Sequence, residues 1–145
     1  MAVSTYSFGD ISAVLSHPDY PSLDFKNAGV GDITISKTND TTAHDVAADG
    51  SVLVSKIIVN NGTVTINAQQ SSPLHNHLNN LFNYLRTAPT DRWAQVQLDV
   101  RAPLLHEARI CTGGSFQKDA DCPYQAQGQR IAWTLMFADI TTQKI

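Results

Sequence analysis

Apolar and polar residues alternate with a period of two along most of this chain, and with a helical period in one stretch. The two periods meet between Gly50 and Arg86. Val52–Val59 is rich in β-branched residues, Thr63–Ala68 alternates strictly, and Asn61-Gly62 lies between them. Asn-Gly between two such runs predicts a β-hairpin with a type I′ turn, because that turn needs positive φ at both central residues. In that register Val59 faces Val64 and Ile57 faces Ile66, which leaves Thr63, Thr65 and Asn67 on a polar face. Ser72 is a good N-cap and Pro73 fits the first helical position. Leu74, Leu78, Leu81, Phe82 and Leu85 then form one apolar stripe, which predicts a helix with this face in the core. Asn76, Asn79, Asn80 and Asn83 are poor helix formers, so the helix depends on docking.

Shorter alternations fill the rest. Tyr6 and Phe8 share one parity, Ile11, Ala13 and Leu15 the other, and a bulge at Gly9-Asp10 would keep both sets inward. The two prolines at Pro18 and Pro21 mark a loop, with a short return strand over Leu23–Phe25. Asp32–Lys37 is amphipathic, with Ile33 and Ile35 inward. With a strand over Thr42–Val46 and a turn at Ala48-Asp49-Gly50, residues 32–70 are expected to form a four-strand meander. Ala94–Arg101, Ala108–Phe116 and Arg130–Ala138 supply later strands, and 141–145 a tail. The expected fold is mainly β: a β-sandwich or partly closed barrel of about eight strands with one flanking α-helix.

Length and composition fit that expectation. The chain has 145 residues, enough for one domain spanning 1–145. Charged residues make up 16%, and twelve of the thirteen acids are Asp, which favours turns and strand ends over helices. A net charge of −3 with no basic run argues against tight nucleic-acid binding. The N-terminus has no basic or apolar leader and no run reaches membrane-spanning length, so no membrane anchor is expected.

The residues offer little chemistry. His75 and His77 are two apart, so on a helix they point away from each other and make a poor metal pair. Asp119 and Asp121 lack the ligand spacing of a calcium loop. Cys111 and Cys122 read as two reduced thiols, with a disulfide as the alternative in an oxidising setting. Nucleophile-elbow, P-loop and dinucleotide patterns are absent. No cofactor, metal site or catalytic set is expected.

Several short stretches occur in a familiar order: Tyr6-Ser7-Phe8, Gly31-Asp32-Ile33-Thr34-Ile35, Ala48-Asp49-Gly50-Ser51, Gly62–Ile66, and Ser72-Pro73-Leu74 with its helix. Their succession resembles the tail tube proteins of contractile-tailed bacteriophages, best over residues 4–100, whereas Cys111–Gly128 has no match in that pattern. The resemblance implies a structural protein rather than an enzyme. Its subunits would form hexameric rings stacked into a tube, with sheath, baseplate and tail-terminator proteins as partners and DNA passing through without specific binding. It would be assembled in the host cytoplasm and located in the virion tail. It also implies a channel-facing wall. Strand parity offers Thr34, Ser36, Lys56, Thr63, Thr65 and Asn67 for that wall, with Asp32, Asp40 and Asp45 near strand ends. Two other readings stand beside it. One is the tube subunit of a related, non-phage injection machine. The other is a β-sandwich binding module for carbohydrate or a host surface, which would expose aromatics such as Trp93 and Tyr84.

Overall fold

A computed structural model describes residues 2–145. Nine strands and one α-helix follow one another: β1 (Ser12–His17), β2 (Tyr20–Asp24), β3 (Val30–Lys37), β4 (Thr42–Val46), β5 (Val52–Lys56), β6 (Gly62–Gln69), α1 (Pro73–Thr87), β7 (Val96–Ala102), β8 (Glu107–Phe116) and β9 (Arg130–Lys144). Seven strands form one antiparallel sheet in the order β2-β1-β7-β8-β9-β6-β3, curled into a half-barrel. β4 and β5 form a separate two-stranded sheet.

Alternation decides which face of the large sheet is core. Val64, Ile66 and Ala68 of β6 are buried, as are Ile131, Trp133, Leu135 and Phe137 of β9 and Val96 and Leu98 of β7. α1 lies across this face against β6 and β2, and buries Leu74, Leu78, Leu81, Phe82 and Leu85. Its start is fixed by Ser72, whose Oγ accepts from the His75 backbone N–H at 3.2 Å, and by Pro73 in the first turn. Phe82, Phe116 and Trp133 meet edge-on or tilted, with ring centroids 5.5–6.1 Å apart. This geometry suits the ring quadrupoles.

The strand pairing corrects the expected hairpin. β6 does not pair with β5. It lies between β3 and β9, with Ile33 opposite Ile66, Ile35 opposite Val64, and Leu135 opposite Val64 on the other side. β5 pairs instead with β4, Val52 opposite Val46 and Val54 opposite His44, so the expected meander is replaced by an excursion. Residues 57–60 are a linker, in which Ile57 N–H bonds the Thr41 carbonyl at 2.9 Å and Asn60 accepts from Ile140 N–H at 2.9 Å. The reason lies at Gly62. It is not one of the glycines with positive φ, but a strand residue where the chains approach closely. A Cβ there would strike the Ser36 carbonyl oxygen and the Ile140 side chain. The turn chemistry falls instead at Ala48-Asp49-Gly50-Ser51. Gly50 has φ +93°, and the Asp49 carboxylate accepts from Ser51 N–H at 2.9 Å. That bond holds the Asp49 carboxyl below its usual pKa.

Other boundaries also shift. Phe8–Asp10 is a 3-10 turn rather than a bulge. Pro21 lies within β2, where an edge strand tolerates it. The expected tail continues β9 to Lys144, paired with Glu107 of β8.

Candidate assembly surfaces

Two surfaces stand out. The first is the solvent face of β3 and β6, opposite the core. Asp32, Thr34 and Ser36 come from β3, and Asn67, Thr65 and Thr63 stand directly across from them on β6. Ser36 and Thr63 hydroxyls hydrogen-bond at 3.1 Å, and Asn67 Nδ2 donates to Asp32 Oδ1 at 2.6 Å. Arg130 on β9 approaches the other Asp32 oxygen at 3.9 Å. Thr134 extends the Thr34–Thr65 row, while Met136 opposite Thr63 adds an apolar spot, 44% exposed. The result is a hydroxyl- and amide-lined wall with one paired carboxylate.

The structure does not bring all nine residues proposed for a channel onto this wall. Lys56 and Asp45 belong to the β4–β5 hairpin, and Asp40 to the turn leading into it. These three lie on a different sheet or loop from Thr34, Ser36, Thr63, Thr65, Asn67 and Asp32.

That hairpin is the second surface. Every residue of β4 and β5 is exposed. One face carries Val46, Val52 and Val54 with His44, and the other carries Leu53 beside Asp45. Leu53 is 64% exposed and Ile58, in the linker, 83%. At the root, Lys37 Nζ donates to the Ile140 carbonyl and, at 3.2 Å, to the Asn60 carbonyl, tying β3, the linker and β9 together. Sequence reasoning missed this surface because it assigned Val52–Val59 a core partner. The available signal was Val52-Leu53-Val54, three consecutive apolar residues that no one-sided strand can bury together.

Neighbouring groups are occupied structurally. His17 is buried, accepts from Asp19 N–H at Nδ1 (3.1 Å), and so donates from Nε2 to the Arg92 carbonyl (2.9 Å). Trp93 packs edge-on to Phe82, and Tyr84 packs on Tyr20 with centroids 5.6 Å apart, so neither is the exposed platform a carbohydrate-binding module would present. Both cysteines are free. Burial, then the nearby Asp99 charge, pushes the Cys111 thiol up to about 11, which suits core packing and not nucleophilic attack. Among the described residues, no three His, Cys, Asp or Glu side chains are placed to hold a metal ion. Also among them, no helix is long and apolar enough to cross a membrane.

Among the described residues, a curled antiparallel sheet is backed by one helix, with an exposed hairpin and a polar outer wall standing apart from the core. The chain belongs to the bacteriophage PhiTE tail tube protein family, whose profile matches residues 3–144. No curated protein matches it in sequence. Among solved structures it resembles a chain of the PVC sheath–tube complex, an extracellular contractile injection system in the extended state. The TM-score is 0.61 at 8% identity, covering 97% of this chain and 93% of that one. It is similar also to a chain of the anti-feeding prophage tube-terminating cap, with TM-score 0.59, 12% identity, and coverage of 100% and 95%. A third likeness is to a chain of the anti-feeding prophage baseplate, with TM-score 0.56, 10% identity, and coverage of 99% and 98%.

Proposed function

We propose that this chain acts as one tail-tube domain that self-assembles into hexameric rings stacked around a channel for DNA. The observation that carries the reading is the β4–β5 hairpin, whose valines and Leu53 have no core of their own. An apolar surface of this kind gains free energy only by docking on another surface. The exposed edges of β2 and β3 add two rows of backbone groups that a neighbouring copy can pair. Asp32, Thr34, Ser36, Thr63, Thr65 and Asn67 form the channel wall in this reading. Hydroxyls and amides keep that wall hydrated, and few cations let phosphates slide past. Sheath, baseplate and terminator proteins are the expected partners, assembly takes place in the host cytoplasm, and the product is the virion tail. The role is mechanical and involves no catalysis.

A second reading, the tube of a non-phage injection machine, draws support from the injection-system chains that share the fold. Negative-stain images of purified protein test self-assembly in either case. The wild type is expected to give rings or tubes, and Val54→Asp a folded monomer of unchanged circular dichroism. Wild-type protein that stays monomeric at high concentration, or Val54→Asp protein that forms normal tubes, contradicts the proposal. Nucleic acid recovered inside native tubes separates a phage tail from a protein-delivering machine.

A further inference from the structure

Trp133 is 1% exposed and forms the hub of the Phe82–Phe116 cluster. Its indole nitrogen can only donate a hydrogen bond. It donates to Nδ1 of His75, in the first turns of α1, at 3.1 Å. An accepting Nδ1 carries a lone pair, so the neutral ring bears its proton on Nε2. A doubly protonated imidazole has no lone pair and presents a second donor to the indole N–H. We propose that the Trp133–His75 bond is an acid-sensitive latch that fastens the start of α1 to β9 while His75 is neutral and opens when His75 is protonated. The inference is independent of the tube reading.

The surroundings suit a latch. His75 is only half-buried, so solvent protons reach it. Burial lowers its pKa, and Asp119 in the loop between β8 and β9 pulls the other way. The N-terminal end of the helix dipole also disfavours a cation there. His77, lowered by burial, meets Tyr20 at 5.4 Å and belongs to a separate contact. The sign follows from these directions. A His pKa lower in the folded than in the unfolded chain gives stability that is fully present above about 6.5, the unfolded value. That stability is lost as pH falls toward the folded value. Opening leaves a buried indole N–H without a partner, which is costly.

The test is a titration of the unassembled full chain from about pH 7.5 to about pH 5, followed through the Trp133 indole N–H resonance, assigned by its loss in Trp133→Phe. That resonance is expected to move with the same midpoint as the His75 ring signals. In His75→Asn the side-chain oxygen accepts at any pH, so the resonance should stay fixed and the melting temperature should fall less with acid than in the wild type. His77→Gln should leave the Trp133 titration unchanged. A Trp133 resonance that stays still while His75 titrates, or moves equally in His75→Asn, overturns the proposal. If His75→Asn does not fold, the wild-type titration alone decides.

Discussion

At the scale of single residues, Gly62 has the widest influence. Its missing side chain lets β3 and β6 close up beneath Ile140, so the glycine is chosen for space and not for a turn. A methyl group there must displace the backbone carbonyl of Ser36, which a flexible side-chain neighbour would not require. Gly62→Ala is therefore expected to lose about 1–3 kcal/mol of stability, the usual range for overpacking. Urea unfolding monitored by tryptophan fluorescence would measure it, and an unchanged midpoint would show that the strands can spread at no cost. Lys37 sits beside this closure and ties the hairpin's root to β9, so the direction in which the hairpin leaves the sheet is set within a few residues of Gly62.

Among the elements, α1 is the one whose identity depends least on its neighbours and whose stability depends most on them. Its N-cap, its proline and its stripe are local signals, and the five residues of the stripe coincide with those the helix buries. Its asparagines contribute little intrinsic helicity, so the stripe's packing must supply the rest. Leu81→Ala is expected to cost about 2–5 kcal/mol, the range for a truncated core leucine. Equilibrium denaturation should reveal this in the monomer. A Leu81→Ala subunit of wild-type stability that fails to assemble would move the stripe from the core to an interface. Individual strands were legible for a similar reason, since Ile33 and Ile35 alternate strictly with polar neighbours, and Ile131, Trp133, Leu135 and Phe137 recur at every second position. Their pairing was not. Alternation says which face of a strand is buried but not which strand lies beside it. Asn61-Gly62 supplied a local answer that β3 and β9 override with two flanking ladders. The hairpin β4–β5 defeated the reading in another way: its apolar residues carry the signature of a core strand while lying outside the core.

For the whole molecule, the proposed channel and the proposed docking hairpin make separate demands. Six of the nine residues suggested for the wall do share one face of β3 and β6, whereas Asp40, Asp45 and Lys56 travel with the hairpin. A charge placed on the wall should leave folding and ring formation alone but alter passage of DNA. Thr65→Lys repeats one added cation around every ring, and the expected outcome is tubes of normal appearance with slowed genome ejection. High salt should restore the rate by screening phosphate contacts. Ejection at the wild-type rate in low salt would indicate that this face looks outward from the tube. A loss of tubes would place Thr65 in a subunit contact instead.

The separation of β4–β5 from the main sheet also bears on the order of events during growth of a polymer. A two-stranded ribbon without a hydrophobic backing is at best marginally stable in water. In a free subunit its amide protons should therefore exchange far faster than those of β6 or β9, which have strands on both sides. The entropy of fixing the ribbon is then lost at the moment of docking rather than during folding. Two free subunits must both meet that cost for a single new contact, whereas a subunit arriving on an ordered template meets it once. Spontaneous nucleation should be slow and templated elongation fast, so that purified subunits form tubes only after a lag, one that preformed tube fragments shorten and high concentration overcomes.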